Sequence, residues 1–114
     1  MVRIKVIIPA YNEQGSIGKV VKDIPAIVEE IIVVNNNSKD NTAANAAAAG
    51  ATVLSELRPG YGYACLKGMK YIEDKNDPPD IIVFLDGDYS DYPEDIGVGR
   101  VPIMRPFVRD ESNA

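Results

Sequence analysis

The segment with the clearest chemical potential is Leu85-Asp86-Gly87-Asp88, which follows the apolar run Ile81 to Leu85. On an extended chain, side chains at i and i+2 point to the same side, so Asp86 and Asp88 can present two carboxylates together. A hard divalent cation such as Mg²⁺ or Mn²⁺ takes one or two protein carboxylates and completes its shell with phosphate oxygens and water. A diphosphate is therefore the natural second partner. Asp-Gly-Asp is also an ordinary turn after a strand, since Asp and Gly favour turns. What weighs towards chemistry is its position at the end of a buried strand, with Tyr89, Tyr92, Pro93 and Glu94 next in line.

Positioning such a pair requires a scaffold, and the hydrophobic pattern supplies one. Val2 to Ile8, Glu30 to Val34 and Ile81 to Leu85 are near-continuous β-branched or apolar runs, as expected of strands buried on both faces. Ile17, Val20, Val21 and Ile24 recur at helical spacing, with Ser16 as a candidate N-cap and Pro25 as the stop. A second helix is predicted from Ser38, with Asp40 in its first turn, through an alanine-rich tract to Gly50. Ala51 to Ser55 reads as a short strand, Pro59 to Gly62 as a turn, and Tyr61 to about Asp74 as a third helix. Strands alternating with helices predict an α/β fold, a Rossmann-like, doubly wound parallel sheet with right-handed crossovers. Ligands of such sheets bind at the carboxyl ends of the strands. Three polar clusters meet there: Pro9-Ala10-Tyr11-Asn12-Glu13, Asn35-Asn36-Asn37-Ser38 and Asp86-Gly87-Asp88.

Composition narrows the chemistry. The 114 residues are 46% hydrophobic and 25% charged, the balance of one globular domain. A net charge of -5 argues against a nucleic-acid partner. With no histidine, Ser-His-Asp and Cys-His nucleophiles and imidazole metal sites are excluded. Catalysis must run through carboxylates, amides, hydroxyls or a bound metal. The single cysteine, Cys65, lies in an apolar helical pattern beside Leu66, Met69 and Ile72 and reads as core. No signal-peptide pattern and no run near the ~18 residues of a membrane span is visible, which predicts a soluble, cytoplasmic chain. The turn after the first strand lacks G-x-G-x-x-G, and no G-x-x-x-x-G-K-[ST] occurs, disfavouring dinucleotide oxidoreductases and Walker-type NTPases.

Four segments resemble family 2 glycosyltransferases, in order over residues 2 to 96. Val6-Ile7-Ile8-Pro9-Ala10-Tyr11-Asn12-Glu13 is similar to their opening strand and loop. Glu30 to Thr42 is similar to their second-strand signature, and Arg58-Pro59-Gly60-Tyr61-Gly62-Tyr63-Ala64-Cys65-Leu66-Lys67-Gly68 to the loop and helix before the DxD strand. Asp86-Gly87-Asp88 with Tyr92-Pro93-Glu94-Asp95 matches the DxD region itself. The resemblance implies a GT-A fold with sheet order 3-2-1-4, and transfer of a sugar from a nucleotide-diphosphate donor to a polyprenyl phosphate or a glycan, with Mg²⁺ or Mn²⁺ as cofactor. It places Pro9, Tyr11 and Glu13 in the nucleotide pocket and Asn36 and Asp40 near base and ribose. Asp86 would contact ribose or metal-bound water, and Asp88 would be the main metal ligand. Lys67 would either approach the sugar phosphate or remain a solvated surface lysine, and Tyr11 would either line the pocket or pack at its rim.

Two departures stand out. The second strand ends in Asn35 and Asn36 where the family usually has acidic residues, and an amide donates as well as accepts. After Ile96, residues 97–114 show no further strand-helix unit, so the chain reads as a nucleotide-sugar-binding half (1–96) followed by a divergent tail (97–114), stopping about halfway through such a domain. A non-catalytic nucleotide-sugar-binding module is the rival reading. An uncovered Ile81 to Leu85 strand would also be an apolar edge, which predicts a homo-oligomer formed through this strand or through the tail after Ile96.

Overall fold

The computed structural model describes residues 2–85 and 87, and the backbone of a strand at Ile103–Pro106. The elements run β1 (Ile4–Ala10), α1 (Ile17–Asp23), β2 (Val28–Asn35), α2 (Thr42–Ala48), β3 (Thr52–Ser55), α3 (Tyr61–Asp74), β4 (Ile81–Phe84) and β5 (Ile103–Pro106). They form one sheet in the order β3-β2-β1-β4-β5. The first four strands are parallel, in the order that the motifs imply, and β5 is antiparallel to β4.

Period-two alternation of β1 divides the core. Ile4, Val6, Ile8 and Ala10 face α1 and α2, packing with Ile17, Val20, Val21, Ile24 and Ala46. Ile7 faces α3 with Ile32, Val34, Ala64, Ile72 and Phe84. Helices thus cover both faces of the sheet, as a parallel sheet requires. Cys65 packs with Met69 against this second core, whereas Leu66, one position on, is 60% exposed.

Several boundaries differ from the expected ones. β1 extends through Pro9 to Ala10. Leu85 N donates to Ile7 O, so the missing N–H of Pro9, two residues on, faces the β4 side, where pairing has ended at Ile7 with Phe84. β2 begins earlier, at Val28. α2 begins at Thr42 and not at Ser38. Asn37 is left-handed (φ 61°), and the side chains of Ser38 and Asp40 accept bonds from loop amides in place of helix formation. The helix ends at Ala48 with Ala49 as its C-cap, and Gly50 (φ 106°) is the stop, Ala51 N bonding to Ala46 O and Gly50 N to Ala47 O.

One further element lies in the tail. The tail, in which no further strand-helix unit was expected, contributes a single strand: Ile103–Pro106 pairs with β4, Ile81 opposite Pro106 and Phe84 opposite Ile103. The β4 edge is therefore covered within the chain, which removes the premise for assembly through it. A proline at the end of the outermost strand costs no ladder bond on its open side.

Opposite the carboxyl edge, at the start of the strands, Lys5 is buried (side chain 4% exposed) and its Nζ donates to Glu30 Oε1 at 2.9 Å. Glu30 Oε2 also accepts from Tyr71 Oη (2.6 Å) and Thr52 Oγ1 (2.9 Å). Burial alone would raise the Glu30 carboxyl, but bonds from Tyr71, Lys5 and Thr52 outweigh it and hold it at about 2. A folded value below the ordinary 4.5 stabilises the fold above pH 4.5, and that contribution fades as pH falls towards 2. Lys5→Met should cost about 2 kcal/mol, less than a fully buried pair because Glu30 keeps Tyr71 and Thr52, and urea titrations at pH 7 read it directly. The wild-type excess over the variant should shrink between pH 4.5 and 2.

Candidate functional site

At the carboxyl edge a cleft of about 260 Å³ is lined by Pro9, Ala10, Tyr11, Glu13, Asn36, Tyr61 and Gly87. It combines the ends of β1 and β2, the start of α3 and the segment after β4. Pro9 and Ala10 enter as the last residues of the central strand, and Tyr11, 57% exposed, stands at the rim. Four of the residues that the sequence singled out, Pro9, Tyr11, Glu13 and Asn36, are brought together here.

The loop between β1 and α1 is pinned to the loop between β2 and α2. Asn36 N donates to Ala10 O at 2.8 Å, Asn12 N to Ser38 Oγ at 2.9 Å, and Lys39 N to Asn12 Oδ1 at 2.8 Å. Asn12 is left-handed (φ 51°), a conformation that Asn tolerates because its short amide bonds locally. Glu13 N donates to Thr42 Oγ1 at 2.8 Å, and the Thr42 hydroxyl in turn donates to Asp40 Oδ1. Asn41 N reaches Gln14 Oε1, and Asn45 Nδ2 reaches Gln14 O. Glu13 is thus set by a buried threonine of another element.

Asp40 does not line the cleft. Its Oδ1 accepts from Thr42 N (3.0 Å) and its Oδ2 from Gln14 N (3.4 Å). The Thr42 hydroxyl, with the amides of Thr42 and Gln14, holds its carboxyl below the usual aspartate range. Its observed work is to tie two loops. Lys67 is on the exposed face of α3, in a separate hollow with Leu54, Lys70, Tyr71 and Asp74. Sequence reasoning assigned no role to Thr42, Gln14 or Tyr61, and put Ser38 in the edge cluster without foreseeing its bond to Asn12 N.

Asp86 and Asp88 lie outside the described residues, but the chain on either side of Asp86 is placed. Leu85 is fully buried and bonded to Ile7, and Gly87 forms part of the cleft wall. Gly87 O accepts from Ser16 Oγ at 2.7 Å, so Ser16, at the N-cap position of α1, spends its hydroxyl on this segment and makes no side-chain cap bond. A Cβ at position 87 would sit 3.3 Å from both Ala10 Cβ and Ile17 Cδ1 and 3.4 Å from Glu13 Cγ. Glycine is what lets the segment press against the wall. The cleft thus has the residue between the two carboxylates built into it, which fits a cation shared by protein carboxylates and an anionic ligand. Among the described residues no group of three or more Asp, Glu, His or Cys could hold a metal. None of their helices is long and apolar enough to cross a membrane.

Comparisons with known proteins agree with this architecture. Glucosyl-3-phosphoglycerate synthase from Mycobacterium tuberculosis superposes with a TM-score of 0.64 at 33% identity, over 76% of this chain and 34% of that one. The same enzyme in complex with Mn²⁺, UDP-glucose and phosphoglyceric acid gives 0.63 at 33% identity, over 75% and 33%. A structure described as a mycobacterial protein gives 0.64 at 34% identity, over 76% and 31%. The chain spans about a third of the length of these structures. Among curated proteins none matches. The family model for glycosyl transferase family 2 matches residues 5–99, from the second residue of β1 past the Asp86-Gly87-Asp88 segment. On that match, together with the α/β sheet and its edge cleft, the chain belongs to glycosyl transferase family 2.

Proposed function

We propose that this chain binds a nucleoside-diphosphate sugar in the edge cleft, as the donor half of a metal-dependent glycosyltransferase. The observation that carries the reading is Gly87, the residue between the two carboxylates, standing in the wall of a cleft with Pro9, Tyr11, Glu13 and Tyr61. Asp86 and Asp88 would hold Mg²⁺ or Mn²⁺, with Asp88 the main ligand and Asp86 also near the ribose. When bound, the cation would offset charge developing on the leaving diphosphate. Pro9 and Tyr11 would bound the nucleotide, and Glu13, set by Thr42, would present its carboxylate from the β1–α1 loop. Lys67 is left to solvent in this reading.

Support comes from a similar enzyme, glucosyl-3-phosphoglycerate synthase, solved with UDP-glucose and Mn²⁺ and with UDP and Mg²⁺. Donor binding is tested by calorimetry with UDP, GDP, CDP and ADP, each with and without Mn²⁺. Heat from at least one nucleotide only when Mn²⁺ is present is the expected result, and none from any would sink the reading.

Transfer by these 114 residues alone should be slow. Holding an acceptor against the anomeric carbon contributes roughly 7–11 kcal/mol in favourable cases, and the described residues build one cleft edge. Single-turnover assays with a lipid phosphate, a glycan and phosphoglycerate as acceptors should show donor hydrolysis at most. Rapid transfer to any of the three would show that the chain also holds an acceptor.

A further inference from the structure

We infer that Asn36 is a positioning residue that builds the wall of the donor cleft, and does not read the base. The inference rests on the donor-cleft reading above for its consequence, but its geometry stands apart from it. Asn36 is 9% exposed. Its Nδ2 donates to Glu56 O at 2.9 Å and to Arg58 O at 2.7 Å, and its Oδ1 accepts from Gly60 N at 3.1 Å. Both amide hydrogens are therefore committed to main-chain carbonyls, leaving no donor to offer a ligand.

The three bonds close the turn between β3 and α3. Gly60 needs this restraint, because it takes φ 124° immediately before the first residue of α3, where no side chain caps the helix. The next residue, Tyr61, lines the cleft. Asn36 thereby fixes where Tyr61 leaves the turn, linking the end of β2 to the opposite wall. The turn has a second restraint: Glu56 accepts from Arg58 N, Nε and Nη2, and Arg58 stacks over Tyr63 with its guanidinium carbon 4.3 Å from the ring centre.

An amide is required for this job. Aspartate at position 36 would put carboxylate oxygen against the Glu56 and Arg58 carbonyls, oxygen facing oxygen with no proton between them. If Asn36 read the base, Asn36→Asp would instead change which nucleotide binds best.

The test uses the full 114-residue chain and its Asn36→Asp and Asn36→Ala variants. Amide hydrogen exchange is followed at Gly60 and Tyr61, and affinity is measured for UDP, GDP, CDP and ADP with Mn²⁺. Both variants should lose protection at Gly60. Each should bind every nucleotide weaker by roughly tenfold, the scale of a buried polar group left unpaired, with the ranking of bases unchanged. Two results would overturn the inference: Gly60 protection retained in Asn36→Ala, or a re-ordered base preference in Asn36→Asp with Gly60 still protected. If the wild-type chain binds none of the four, the donor reading fails, and Gly60 exchange still decides whether Asn36 holds the turn. Global unfolding of a variant is told apart by exchange at Ile7 and Ile32, which should stay protected in both.

Discussion

The Asp88→Asn chain is expected to lose at least ~100-fold in Mn²⁺-dependent affinity for its preferred nucleoside diphosphate while melting within a degree or two of the wild type. Outer partners of a metal already cost 10–100-fold when removed, and Asp88 is proposed as a direct ligand. The fold should not notice, because the packing around the segment comes from Leu85 and Gly87, which remain. Lys67→Ala is the control. It removes a charge from α3 in a hollow apart from the cleft and should change affinity less than threefold. Calorimetry in saturating Mn²⁺ settles both, and full affinity in Asp88→Asn would refute the metal assignment.

Gly68 carries the largest expected stability effect. It lies mid-way along α3, where glycine costs about 1 kcal/mol relative to alanine in helix propensity. A propensity argument therefore expects Gly68→Ala to stabilise. Packing says the opposite: an added Cβ would stand 2.8 Å from Ile7 Cγ2 and 3.1 Å from its Cδ1, and Ile7 is fully buried on the central strand. Neither side can yield easily, since Ile7 is enclosed by Ile32, Val34, Ala64 and Ile72. Gly68→Ala should lose about 1–2 kcal/mol net, and Gly68→Val about 3 kcal/mol, by urea unfolding. Truncating the obstacle offers an internal check. Ile7→Ala should cost markedly less in the Gly68→Ala background than in wild type, because the new methyl fills part of the space it opens. Additive costs would show that helix and strand do not meet at this point.

Most of the fold was legible in the chain because it depends on local patterns. β-branched runs, helical spacing of Ile17, Val20, Val21 and Ile24, and the stop at Gly50 are read within a few residues of each other. The sheet order followed from motif resemblance, and the meeting of the Pro9-to-Glu13 and Asn35-to-Ser38 clusters with Gly87 on one edge followed from the parallel topology. Leu85 and Gly87, on either side of Asp86, could be placed for the same reason.

What only tertiary structure decided was how each polar side chain is spent. Hydrogen bonds between residues far apart in sequence leave no periodic trace, so Ser16 reads as a helix cap and turns out to hold Gly87. Asp40 and Asn36 read as nucleotide contacts, yet one ties two loops through Thr42 and the other closes the turn at Gly60. The tail strand was invisible for a related reason. A four-residue strand carries too little pattern to declare itself, and forms because β4 offers unpaired N–H and C=O groups along its outer edge. Gly68 belongs with these. In the chain it is a weak point in a helix, and only the approach of α3 to Ile7 shows that the missing side chain is what allows the two to touch.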